Sequence, residues 1–292
     1  MFVYTLRAWW NLMLKIKSSE EDSFSFYQEI VKSKRNTPNK PDIKEQLEAI
    51  KDSQALHYEE FDKAFQLNSL ETINEKKNPE VVKAYLQSLY NYRHTKIQAL
   101  KNSLTKHPYY KEHILNTCQN CTINEVDSMD HILGQTSYSE LSVHPKNLFP
   151  CCTACNRKKS DSFTDDDGNR LFLNLFLDEL PESQYLKVSF DLNWMPTFHL
   201  IKPNDITDNF FNLISSHYEK LDLLARFSRN SSDIISSLRA VIRSYKDTDI
   251  NIEDKINEQC DEMGMFLGYN HRKVVIYREL ASSEDFIKQC FA

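Results

Sequence analysis

The chain has 292 residues, 40 % of them hydrophobic and 27 % charged, which is the balance of an ordinary globular protein and not of a disordered or membrane-embedded one. Only four glycines, with aromatics at 12 %, argue against a turn-rich β protein and for a mainly helical one. The formal charge of −6 excludes a broadly basic surface, so any site for a polyanion must be locally basic or completed by a partner.

The opening run MFVYTLRAWWNLMLKI is apolar, but Arg7, Asn11 and Lys15 interrupt it and it falls short of the ~20 residues a bilayer-crossing helix needs. No small-residue cleavage site follows it. It reads as a segment packed on the protein's own core, with a partner-docking element or a natural start at Met13 as the alternatives. Residues 32–42, KSKRNTPNKPD, lack apolar periodicity and read as an exposed linker between helical stretches. Beyond them Ile43, Leu47 and Ile50 recur at helical spacing. A clearer helix is predicted to start at Asn78 as N-cap with Pro79 in its first turn, and to run through Val82, Leu86, Leu89, Ile97, Leu100 and Leu104. Arg93, Lys96, Lys101, Lys106 and Lys111 make its far half basic, either a solvated face or a guide for a phosphate backbone.

Five of the seven cysteines, Cys118, Cys121, Cys151, Cys152 and Cys155, fall in one short window, which favours metal over disulfides. Two C-x-x-C pairs, Cys118/Cys121 and Cys152/Cys155, supply four thiolates for a closed, structural zinc tetrahedron. Cys152 is preferred to Cys151 because it has the two-residue spacing to Cys155. Between and just after the thiolates stand harder donors, Asp130, His131, Asn147 and Asn156, of the kind that suits magnesium or manganese. His113 and His144 are spare imidazoles nearby. Further on, 185–192 and 197–201 alternate polar and apolar residues around 193–196, predicting a hairpin. Three apolar stripes follow at helical spacing: Phe210, Ile214, Tyr218, Leu221; then Ile235, Leu238, Ile242, Tyr245; then Ile252, Ile256, Cys260, Met263. Cys260 is expected on a buried face and Cys290 near a frayed end, both as non-catalytic thiols.

The run MDHI at 129–132, KNLFP at 146–150 and CTACNRKKSD at 152–161 resembles the HNH (ββα-metal) endonuclease family in order and spacing, in the variant with asparagine at the third position. The stretch after His131, Ile-Leu-Gly-Gln-Thr at 132–136, lacks the proline often found there in relatives, which leaves the shape of the loop 133–146 open. The resemblance implies a metal-dependent nuclease that hydrolyses phosphodiester bonds, DNA favoured over RNA, leaving 5′-phosphates. It implies His131 as general base, Asp130 and Asn156 as ligands of one catalytic Mg²⁺ or Mn²⁺, and Asn147 as a brace for the loop that aims His131. Cys118, Cys121, Cys152 and Cys155 would hold structural Zn²⁺, and Arg157, Lys158 and Lys159 would contact flanking phosphates. Activity is expected to fall below about pH 6 as His131 takes up a proton.

The expected fold is therefore mainly α (α+β): an N-terminal helical region at 1–112, a ββα module at 113–165, and a C-terminal region at 166–292 with a hairpin and then helices. Long helical flanks and an acidic balance look like the nuclease subunits of bacterial antiphage (Septu-like) systems, which implies a cytoplasmic protein with an ATPase partner. The alternative is a non-catalytic zinc-knuckle module that binds nucleic acid or protein.

Overall fold

A computed structural model describes residues 15–107, 110, 112–181 and 183–292. The apolar opening run up to residue 14, with Met13, and Lys111 of the basic run lie outside the described residues. The fold is mixed α+β, with helices predominating over two small antiparallel sheets. Two compact units are present: residues 16–178, and residues 179–292 joined by Lys15. The boundaries drawn from sequence at 112/113 and 165/166 therefore mark changes of character inside the first unit and near its end.

In the first unit, α1 (Ser23–Ser33) begins where the Asp22 carboxylate accepts the Ser25 N–H and buries Phe26, Tyr27 and Ile30. The linker after it is a turn closed by Thr37 and Lys40, and α2 (Ile43–Ala49) and α3 (Lys51–Gln66) follow. Tyr58 and Phe61 on α3 clasp the His144 ring at centroid distances of 4.5 and 4.2 Å. The spare His144 is thus a fully buried core residue, with burial holding its pKa well below the usual imidazole range.

The single helix expected from residue 78 is two helices, α4 (Glu80–Gln87) and α5 (Thr95–Leu104). Tyr90, Asn91 and Tyr92 are poor helix formers, and local side-chain bonds compete with the helix here. The Asn91 carboxamide oxygen accepts from Arg93 N, and His94 Nδ1 caps α5 by accepting from Lys96 N. Pro79, not Asn78, occupies the N-cap of α4; Asn78 instead donates to Ser139 Oγ. The apolar positions still reach the core, because Val82, Leu86, Leu89, Ile97, Leu100 and Leu104 are all buried.

Strands β1 (Ser128–His131) and β2 (Leu148–Cys151) pair antiparallel, Asp130 opposite Phe149 and His131 opposite Leu148, and α6 (Thr153–Lys159) follows at once. The unit closes at Asp178, a buried carboxylate that accepts two bonds from Arg170 Nη2 at 2.7 and 2.9 Å, one from Asn68 Nδ2 and one from Asn174 N.

The second unit holds the expected hairpin, β3 (Leu186–Phe190) with β4 (Pro196–Leu200). Its helices are α7 (Asp208–Lys220), α8 (Leu223–Arg229), α9 (Ser232–Arg243), α10 (Ile252–Leu267), α11 (Arg272–Ala281) and α12 (Glu284–Phe291). The stripes fall on α7, α9 and α10, where Ile214, Tyr218, Leu238, Ile242, Ile256 and Cys260 are buried. Cys290, expected near a frayed end, is buried in the last turn of α12. Arg243 Nε donates to its carbonyl and Lys246 Nζ to that of Phe291, which neutralises the last turn of α12.

Asp178→Ala leaves the Arg170 guanidinium without its buried counter-charge. It is expected to cost about 3 kcal/mol or more, read as a fall in the melting temperature, whereas Glu48→Ala, which removes an exposed ion pair with Lys51, should change stability by no more than about 1 kcal/mol.

Candidate functional site

The site begins with two turns that present sulfur. In the first, Cys121 N and Thr122 N both donate to the Cys118 carbonyl, a reversal that requires Thr122 to take a left-handed conformation at φ 51°. In the second, Cys152 is the N-cap of α6 and its Sγ accepts the Cys155 N–H at 3.4 Å. Asn124 Nδ2 points at the same sulfur at 3.6 Å.

These turns bring Cys118, Cys121, Cys152 and Cys155 together, buried, with sulfurs all within 4.8 Å of one another. The Cys121 and Cys152 sulfurs are 3.8 Å apart, the edge of a tetrahedron with Zn–S bonds of ~2.3 Å. None of the four is in a disulfide. Hydrogen bonds from Cys118, Cys121 and Cys155 hold the Cys152 thiol well below the ordinary thiol range, against the effect of burial. The group could therefore hold a metal ion such as zinc. Cys151 stands apart from it, beside Asp130 and Ser128, because consecutive strand residues face opposite ways.

The sheet and α6 then form one wall of a cleft of about 390 Å³, within the ~300–1,000 Å³ of small-ligand sites. Asp130, His131 and Asn156 line it together. Asn147 does not line it. Its amide oxygen accepts from Leu133 N at 2.8 Å, and its Nδ2 donates to the carbonyls of Leu133 and Leu141 at 3.0 and 3.2 Å, so it ties down both ends of the segment after β1.

His131 Nε2 lies 2.8 Å from the Ser142 carbonyl. A carbonyl only accepts, so Nε2 carries the proton and Nδ1 keeps its lone pair. The Tyr90 ring meets the imidazole edge-on at 4.7 Å. Burial pulls the His131 pKa down to about 4, with the Ser142 carbonyl opposing and Lys159 assisting. Burial raises Asp130 to about 6 despite the Lys159 ammonium beside it. Asn156 Nδ2 donates to Ser128 Oγ at 2.6 Å and to the Met129 carbonyl at 3.4 Å, which leaves its amide oxygen as a ligand atom.

The three basic residues of α6 divide. Arg157 and Lys158 are exposed, while Lys159 is buried and its ammonium points inward, 2.7 Å from the His131 carbonyl and 3.3 Å from Asp130 Oδ2. Lys159 is therefore an internal counter-charge, not a phosphate contact on the surface. In the basic run before the cysteines, Lys96 is likewise engaged, with Glu21 and Glu29. His113 is exposed.

Asp161, Tyr90, Tyr92 and Gln135 also line the cleft and were not singled out in the sequence. Asp161 follows Ser160, whose φ of 55° ends α6 and turns the chain. It lies so close to Gly134 that a Cβ there would come within 2.7 Å of the Asp161 Cα, so the glycine is required by close approach. That glycine, four residues after Asp130, was the available signal. The tyrosines had none, because the periodicity ran through them.

Removing metal with a chelator is expected to release four reactive thiols and melt the structure around 113–165, since thiolate–zinc binding in small modules is on the order of 10–16 kcal/mol. Elemental analysis should give one zinc per chain for the native protein and none for Cys155→Ser. Stoichiometric zinc in Cys155→Ser, or a fold indifferent to chelation, would refute the four-sulfur site. No family model, no curated protein and no solved structure matches the chain.

Proposed function

We propose that the chain is a metal-dependent HNH-type endonuclease hydrolysing phosphodiester bonds in nucleic acid. The observation that carries this reading is the convergence of Asp130, His131 and Asn156 on one cleft, beside a four-cysteine cluster, with His131 in the tautomer that a base needs. Asp130, Asn156 and the neighbouring Asp161 offer a carboxylate, an amide oxygen and a second carboxylate, a hard donor set that fits Mg²⁺ or Mn²⁺ with water filling the remaining positions. Bound there, the cation supplies charge neutralisation at the phosphate and at the departing oxygen.

The chain's own residues do the rest. His131 Nδ1 takes the proton from the attacking water, and the Ser142 carbonyl, fixed on Nε2–H, stabilises the imidazolium that results. Asn147 holds the backbone from which the Ser142 carbonyl projects. Lys159 allows the Asp130 carboxylate to be buried charged. Arg157 and Lys158 remain exposed for flanking phosphates. An effector role in bacterial antiphage defence, gated by an ATPase partner, belongs to the same reading by resemblance; the partner would then supply the substrate affinity that a net charge of −6 withholds. No helix among the described residues is long and apolar enough to cross a membrane.

Cleavage of plasmid DNA and total RNA in Mg²⁺ or Mn²⁺ tests this. His131→Ala is expected to lose at least ~10²-fold in rate with zinc content unchanged. Binding without cleavage in any divalent ion would make the chain a zinc-knuckle binding module instead.

The acidic limb of the rate profile discriminates between the two titrating residues. Burial holds the His131 pKa down, to about 4, and pushes that of Asp130 up, to about 6 in the metal-free site, so Asp130, which cannot bind a cation once protonated, is expected to set the acidic limb. Proton and cation compete for that carboxylate, so raising Mg²⁺ should move the limb to lower pH. A limb fixed at all Mg²⁺ concentrations would return it to a group that does not touch the metal.

A further inference from the structure

We infer that Tyr92 is a stacking platform for an unpaired base next to the scissile phosphate, so that the cleft takes single-stranded nucleic acid in preference to duplex; this rests on the nuclease reading above.

Both tyrosines reach the cleft because the chain breaks between α4 and α5. Tyr90 is occupied within the protein: its hydroxyl donates to the Met129 carbonyl at 3.2 Å and its ring abuts His131. Tyr92 is not so occupied. It is partly exposed, it lines the same cleft as Asp130, Asn156 and Asp161, and among the described residues its side chain has no hydrogen bond and its ring no aromatic or cationic partner. Its backbone is nevertheless held, since Gln98 Nε2 donates to its carbonyl and the turn is pinned by Asn91 and His94. The result is a positioned, partly exposed tyrosine beside the candidate ligands, whose ring has no aromatic or cationic partner among the described residues.

Charge points the same way. Duplex affinity comes chiefly from neutralised phosphates, yet the cleft lining holds Asp127, Asp130 and Asp161 and no lysine or arginine, Lys159 faces inward, and the exposed cations of α6, Arg157 and Lys158, stand outside that lining. Base–aromatic stacking supplies affinity without positive charge, and it is available only where a base has left its pair. DNA and RNA share that π-face, so the polymer is separated by experiment.

The test uses the full zinc-loaded chain carrying His131→Ala, in Mg²⁺, with fluorescent 12-nucleotide single strands of DNA and RNA and their duplexes. Anisotropy should show at least one single strand bound about tenfold or more tighter than its duplex. Tyr92→Ala should weaken that strand by about 5- to 100-fold and abolish the preference, while Tyr92→Phe and Tyr92→Trp preserve it. An abasic scan of the strand on the Tyr92-intact protein should find one position whose lost base reproduces the loss, and Tyr92→Ala should be insensitive to that position. Comparison of the DNA and RNA arms identifies the polymer. Duplex bound as tightly as single strand, or binding unchanged in Tyr92→Ala with no sensitive abasic position, overturns the inference, and cleavage by the His131-intact chain then leaves the nuclease reading standing. Absence of both binding and cleavage for every polymer sinks the two together.

Discussion

The convergence of four cysteine sulfurs from turns some thirty residues apart is the constraint on which the candidate site depends. Cys152 is at once a member of the cluster, the N-cap of α6 and the residue directly after β2. The position of that one sulfur therefore sets where α6 starts relative to the sheet, and with it where Asn156 stands opposite Asp130. Two four-residue strands and a seven-residue helix bury too little apolar surface to hold such an arrangement by themselves. Metal–thiolate bonds are the usual means by which so small a module is held.

A second constraint is electrostatic. Asp130 is buried, and a buried carboxylate is tolerated only with a partner. Lys159, one α-helical turn beyond Cys155, supplies it, and in the same stroke ties α6 to the His131 carbonyl. His131, by contrast, is kept neutral by burial. One pocket thus pushes an acid up and a base down, the pattern by which neighbouring groups acquire different roles near neutral pH.

The N-terminal helices contribute more than bulk. Gln54 on α3 donates to the Glu140 carbonyl, Gln87 on α4 to that of Gln135 at 2.9 Å, and Tyr138 to that of Ile73. Together with Asn147 these bonds define the loop from which Ser142 meets His131. The ββα segment is consequently not an insertion carried passively between helical flanks; residues 16–178 are one unit, and the loop that sets the tautomer of His131 is held largely from outside the segment.

Local chemistry was legible in the sequence. The paired C-x-x-C spacings, the strand–strand–helix order around Asp130 and His131, the hairpin near residue 190 and the apolar stripes of α7, α9 and α10 all depend on neighbours within a few residues, and periodicity or spacing records such neighbours directly. What depends on residues far apart in the chain could not be read there. The break between α4 and α5 leaves the apolar repeat intact while turning Tyr90 and Tyr92 into the cleft. Lys159 looks like its exposed neighbours Arg157 and Lys158 until the sheet places Asp130 beneath it, and Asp161 enters the site only because Gly134 lets two backbones touch. The sequence determined which donors and sulfurs are available and in what local geometry; tertiary structure decided which of them meet, because burial, close backbone approach and the pairing of a buried charge are properties of surfaces that come together only on folding.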